Sequence, residues 1–272
     1  MVRQGNYKVT KRKESLMPSL NPAKGNEQKR RMSPEHVFTF GCHPGISCFT
    51  QCCRDVTIVL TPYDLLRMKN GLGISSEKFL EQYALILPQK NRLIPLVVLK
   101  MNENDKKCLF VTENGCSIYE HRPWPCRMYP LDMDEDGTFF LIPQADRCRG
   151  LVEQDSWRIG DWLSGQGIVP YEEMNALFSG ITIPLQSQKM DIDNPQIAKM
   201  LFMALYNTDK FKEFVFQSSF LNRFAVESIR VDKIKENDEE LLKFAFDWIK
   251  FGLFGEKLFW VKEGALKEGA LK

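Results

Sequence analysis

Eight cysteines, at positions 42, 48, 52, 53, 108, 116, 126 and 148, fall within 107 residues of a 272-residue chain, and the last 124 residues contain none. A thiol cluster of this density has two common outcomes: disulfide staples in an oxidising compartment, or metal ligation in a reducing one. A chain of this length buries a substantial core without staples. Its basic start leads into no apolar run of the ~7–15 residues that a secretory signal needs. Eleven methionines are tolerated, and metal ligation in the cytoplasm is the expectation. The longest apolar stretches, such as residues 93–99, fall short of the ~20 residues of a bilayer span, so no membrane span is expected.

Charge is distributed unevenly. The chain carries a formal +2, yet residues 1–35 hold nine Lys/Arg against three Glu, which leaves the remainder at −4. That remainder disfavours a nucleic-acid binder built around a broad basic face. Residues 1–35, poor in large apolar side chains, read as a disordered basic arm. Residues 36–150 read as a small, irregular, metal-stabilised cysteine-cluster domain, its short segments broken by Gly, Pro and Cys. Within it, Thr61 as N-cap and Pro62 at the first helical position predict a helix. A second helix is expected over 76–85. Residues 94–99 and 138–142 read as strands able to pair, with Pro95 confining the first to a sheet edge.

From 151 to 260 the pattern turns helical, with apolar residues at spacings of three and four over 156–164, 194–206, 211–226 and 237–251. The aromatics of this half, Phe202 to Trp248, read as core rather than as a cofactor box. Residues 261–272 read as a low-complexity tail that repeats Lys-Glu-Gly-Ala-Leu. The expected fold class is α-rich α+β: a cysteine-cluster domain with a mainly α-helical C-terminal extension. That extension is the expected surface for a protein partner or protein substrate.

The thiols form two groups, Cys42-x5-Cys48-x3-Cys52-Cys53 and Cys108-x7-Cys116-x9-Cys126, with Cys148 following after 21 intervening residues. No Cys-x2-Cys occurs, and that gap forms the knuckle of zinc ribbons, fingers and RING-type sites. Iron–sulfur clusters accept more varied spacing because their ligands surround a larger inorganic core. The leading reading is therefore an iron–sulfur cluster of the four-iron type (4Fe-4S), with an irregular structural zinc site as the alternative. Eight thiolates suffice for two four-ligand centres. Cys52 and Cys53 point in different directions in most backbone conformations, so the pair is expected to serve two neighbouring centres.

Arg54, Arg122, Arg127, Arg147 and Arg149 lie within four residues of a cysteine. Guanidinium groups compensate anionic sulfur and donate N–H bonds to it, which makes Arg54, Arg122 and Arg127 candidate neighbours of the metal site. Pro44, Pro123, Pro125 and Pro130 stiffen the ligand loops. His43 adjoins Cys42 and is weighed as its replacement, against a plain loop residue; His121 is read as a loop or hydrogen-bonding residue. Asp55, Asp64 and Asp146 read as turn caps and arginine partners rather than as acids or bases. No phosphate loop or dinucleotide motif is present.

The run Cys116-Ser117-Ile118-Tyr119-Glu120-His121-Arg122-Pro123-Trp124-Pro125-Cys126-Arg127-Met128-Tyr129-Pro130 resembles the signature of the YkgJ-type cysteine-cluster family, a zinc- or iron-chelating domain. In that family a cysteine-rich start ending in Cys-Cys is followed by a Leu-Thr step, a Cys-x-x-Leu-like segment and Cys-x-Ile-Tyr-x-x-Arg-Pro-x-x-Cys-Arg. Cys52-Cys53, Leu60-Thr61 and Cys108-Leu109-Phe110 supply the earlier parts here, and Cys148 matches the last cysteine, so the resemblance covers residues 42–150. The family opening, Cys-x2-Cys-x2-Cys-Cys, is departed from: the gaps here are five and three, which leaves Cys42 the ligand least supported by the resemblance. The resemblance implies metal or iron–sulfur binding by these cysteines, in a redox role or in support of protein modification. A related domain occurs in the flagellin lysine N-methylase, so an enzyme of that kind is a further alternative. No established reaction is implied.

Overall fold

The computed structural model describes residues 30–90, 92–134, 136–187 and 194–262. The basic arm up to residue 29 and the repeat from residue 263 lie outside the described residues. The fold is an α+β mixture, about half helical, with small two-stranded sheets and a helical C-terminal half. Contacts divide the described chain into two units interleaved in sequence. One takes the residues up to Val59 together with Val98–Ala176; the other takes Leu60–Val97 and the residues from Leu177 onward. Residues 60–97, which the sequence places amid the cysteines, are thus counted with the helical unit.

The helical unit starts where capping chemistry dictates. Thr61 Oγ1 accepts from the Asp64 amide at 3.3 Å, while Asp64 Oδ2 accepts from the Thr61 amide at 2.8 Å. This capping box satisfies two amide groups at the start of Pro62–Leu72, and Asp64 is a cap, as its sequence context indicated. The helix buries Tyr63, Leu65, Leu66 and Met68. Asp238–Phe254 packs against it and against Pro195–Tyr206, Thr208–Gln217 and Ser228–Glu236. Between them lies an aromatic core in which Phe220, Phe244, Trp248 and Phe259 stack edge to face, with centroids 5.1 to 6.3 Å apart. Packing absorbs these rings.

Several sequence expectations shift locally. The helix expected over 211–226 breaks after Gln217 and resumes only as Phe220–Arg223. Ser218 Oγ donates to the Phe214 carbonyl at 2.6 Å and accepts from the Phe220 amide at 3.1 Å, offering the backbone an alternative to the helix ladder. The second expected helix ends at Tyr83, and Ala84–Leu87 continues as a strand beside Leu96–Leu99. Phe139–Leu141 pairs with Leu131–Met133, not with the strand some forty residues earlier, because closing a short reversal costs less chain entropy. Residues 156–158 form a strand against Val37–Thr39, and only Ile159–Gly165 is helical. The helical stretch also contains Val169–Ser187 and Ser228–Glu236, which the apolar spacing does not single out. Among the described residues, no helix is long and apolar enough to cross a membrane.

One buried cation ties the helical unit together. Lys69 Nζ, on a side chain 5 % exposed, lies 3.0 Å from Asp238 Oδ2 and 3.4 Å from Asp209 Oδ1. Burial acts to raise both carboxyl pKa values. Hydrogen bonds from Ser76 and Lys69 at Asp209, and from Lys69 at Asp238, outweigh it and hold both below the ordinary carboxylate range. A carboxyl lowered in this way adds stability above its unfolded pKa of about 4, and that stability is lost as pH falls through the folded value. Lys69→Met is expected to cost about 2 kcal/mol at neutral pH, below the ~3–5 kcal/mol of a fully buried pair because Asp209 stays 38 % exposed. It should also flatten the loss of stability below pH ~4. Urea unfolding followed by helical circular dichroism checks both; a variant as acid-sensitive as the wild type would contradict the assignment.

Candidate metal centres

None of the eight cysteines is in a disulfide, and all lie in the first unit. Short loops rather than long elements position them. Gly41 donates its amide to the Gly150 carbonyl at 2.9 Å. A Cβ at Gly150 would stand 2.6 Å from the Gly41 carbonyl oxygen, so only glycine permits this approach of the Cys42 loop to the Cys148 loop. The Arg149 amide donates to Cys48 Sγ at 3.2 Å across the same junction. Thr50 sits at φ 62, unusual for a β-branched residue, and leads into the tight turn Gln51–Cys53. Asp55 and Lys106 are also left-handed. Their backbones join at 2.8 Å, as do the Cys108 amide and the Cys53 carbonyl. Left-handed conformations of this kind cost about 1–3 kcal/mol each and persist where surrounding structure over-determines them. Cys116 ends the hairpin Val111–Thr112 and Gly115–Cys116, and Cys126 lies in the short helix Trp124–Met128.

The sulfurs sort into two neighbourhoods. Cys42 lies in the electrostatic field of Cys48, Cys52 and Cys148. The Tyr129 hydroxyl hydrogen-bonds to Cys52 and Cys148 in the same neighbourhood. Cys53 instead faces Cys108 and Cys126, and Cys108 faces Cys116. The hinge between the sets is the Cys52–Cys53 pair, whose sulfurs are 3.9 Å apart. Among the described residues, no three His, Cys, Asp or Glu side chains already converge to hold a metal ion. The fold groups the donors by loop; it does not close them on a point.

Left to themselves, Cys42, Cys53, Cys108 and Cys116 resist ionisation. Cys42 is exposed as a residue, but its sulfur is partly covered, and that partial desolvation pushes it up to about 11, with repulsion from Cys52, Cys148 and Cys48 adding to it. Cys53 is driven up by its hydrogen bond to Cys52 and then by burial, and Cys108 and Cys116 rise chiefly through burial. Cys52 is instead lowered to about 7 by the bond from Cys53. A soft cation reverses this logic, because coordinated thiols are deprotonated outright. In kind the donor set fits such a cation: eight sulfurs gathered in two neighbourhoods.

The arginines separate. Arg54 is exposed and donates to the Asp105 carbonyl at 2.9 Å, so it braces a loop rather than a sulfur. Arg127 is buried and donates to the carbonyls of Arg122, Gln166 and Glu120 at 2.9, 2.6 and 2.5 Å, with the Tyr171 ring 4.5 Å away. It holds the loop. Arg122 is buried against the Tyr119 ring at 3.6 Å and acts electrostatically on Cys116 and Cys126. His43 Nδ1 accepts from the Gly45 amide at 3.1 Å and Nε2 faces Glu153 at 3.5 Å, which occupies both ring nitrogens and leaves it a loop residue. His121 Nδ1 is buried with no hydrogen-bond partner among the described residues. Sequence reasoning missed Tyr129, although it stands inside the motif run, and Gln166, which no motif or spacing singles out.

Residues 41–149 match the family model CxxCxxCC, described as "Putative zinc- or iron-chelating domain". The matched stretch contains all eight cysteines. No curated protein and no solved structure matches the chain.

Proposed function

From the premise that residues 41–149 are a cysteine-cluster domain of the zinc- or iron-chelating family, we propose that the chain carries two adjacent four-thiolate centres of the 4Fe-4S type and serves a redox role. The observation that carries the reading is the sorting of eight thiols, none in a disulfide, into two sets of four that meet at Cys52–Cys53. Cys42, Cys48, Cys52 and Cys148 would hold one centre; Cys53, Cys108, Cys116 and Cys126 would hold the other. The irregular gaps favour an inorganic core over a single tetrahedral ion. Joined through one peptide bond, the two centres would lie close enough to exchange an electron.

A protein partner completes the reading. In the helical unit Ile229 and Trp260 are 68 % and 67 % exposed, with Val261 beside Trp260 also exposed. Apolar exposure of this kind supports a docking role for that half.

Anaerobic purification followed by a visible spectrum and metal analysis tests the proposal. The expected result is a brown protein with broad absorbance near ~400 nm, and about eight iron and eight sulfide per chain. A colourless protein with stoichiometric zinc would replace the redox reading with a structural one.

A further inference from the structure

The two sets of thiols have unlike surroundings. A four-thiolate centre holding Zn2+ or an oxidised 4Fe-4S core retains a net charge of about −2. Beside Cys116 and Cys126 stands Arg122, 7 % exposed. Its guanidinium donates to the Tyr119 carbonyl at 2.6 Å and to Gln166 Oε1, both uncharged acceptors. Among the described residues it forms no ion pair. The neighbouring Arg127 guanidinium repels it, and Glu120, on the exposed turn beside it, adds an attraction weaker than that of Cys126. A buried guanidinium without a carboxylate partner is costly unless an anion faces it. The sulfurs of Cys116 and Cys126 are the groups placed to be that anion.

The other set is built differently. Cys42 is exposed. Glu153 stands beside its loop, 3.5 Å from His43 Nε2 and against Gly41, with Asp155 also near Gly41. Arg149 contributes a backbone amide to Cys48 rather than a guanidinium. Neutral donors stabilise thiolates there, but nearby carboxylates oppose a dianion, and solvent reaches one ligand directly.

We infer that the two centres are inequivalent: the set Cys53, Cys108, Cys116 and Cys126 is the retained centre, the set Cys42, Cys48, Cys52 and Cys148 is the exchangeable one, and Arg122 is the charge-compensating residue that sets the difference. Arg127 has a separate part, holding the Arg122 loop through the Arg122 and Glu120 carbonyls. The inference rests on the two-centre reading above.

Zinc as the probe tests it without any enzymatic activity. The full chain, loaded with Zn2+ under reducing conditions, is challenged with a chromogenic chelator, and release is followed in time. Two phases of equal size are expected. Cys42→Ser should abolish the fast phase and Cys126→Ser the slow one. Arg122→Met should speed the slow phase by about 10- to 100-fold, the usual range for loss of a supporting contact at a metal site. The fast phase should be unchanged, and Arg122→Lys should restore most of the retention. An Arg122→Met chain that keeps its helical circular dichroism and the fast-phase zinc, but has lost the rest, is the limiting form of the same result. If that variant does not fold, the two cysteine variants decide the assignment of phases.

A single release phase for two bound equivalents, loss of the slow phase in Cys42→Ser, or an unchanged slow phase in folded Arg122→Met would overturn the inference. A wild-type chain that binds no zinc, or only one equivalent, would instead remove the two-centre reading on which it stands.

Discussion

Serine at position 52 is expected to empty one centre and serine at position 53 the other. Each single variant should keep about half of the wild-type metal, and the double variant close to none. The reason is chemical and topological together. An alcohol is a poor substitute for a thiolate on a soft metal. Cys52 has Cys42 in its field while Cys53 has Cys108 and Cys126, so neither residue can stand in for its neighbour. Metal content per folded chain, with sulfide measured alongside, reads the outcome. A double variant that retains as much metal as either single variant would place both sulfurs on one centre. Full content in either single variant would remove that sulfur from the ligand set.

Stripping the metal should have the largest effect of all. Structural metal sites in small domains contribute apparent binding energies of about 10–16 kcal/mol, as much as the whole stability of a typical domain. The thiol-bearing unit is assembled from turns, short hairpins and left-handed residues, and without metal four of its thiols are held protonated by burial and by one another. Limited proteolysis after chelation, read by mass spectrometry, should cut within 41–59 and 98–149. It should spare 60–97, which belong with the helical unit and its capped helix. Equal protection of all these segments after complete metal removal would contradict a metal-dependent fold.

The sparing of 60–97 marks where reading along the chain stops. Thr61, Pro62 and Asp64 announce a helix because a capping box is local chemistry, complete within four residues. The aromatics of the C-terminal half announce a core because their spacing is a helical face. The break at Ser218 and the strand after Tyr83 are also local, but they turn on one side-chain bond or one pairing partner, and periodicity does not carry either. Nothing in residues 60–97 states which half of the protein will bury their apolar faces.

The same boundary runs through the metal site. The chemistry is legible in the residues alone: eight thiols, irregular gaps that disfavour a zinc knuckle, arginines close by, and a vicinal pair expected to divide between two sets of partners. Which sulfurs come near one another depends on the folded chain. Cys148 stands with Cys42 because two glycines let their loops approach to backbone contact. Cys108 stands with Cys53 because their backbones hydrogen-bond. It also chose among the arginines, sending Arg54 to a loop carbonyl and burying Arg122 near sulfur. Ligand type is a property of a residue and is legible one position at a time, whereas ligand grouping depends on loop closure across as many as a hundred residues, where chain separation says almost nothing about distance.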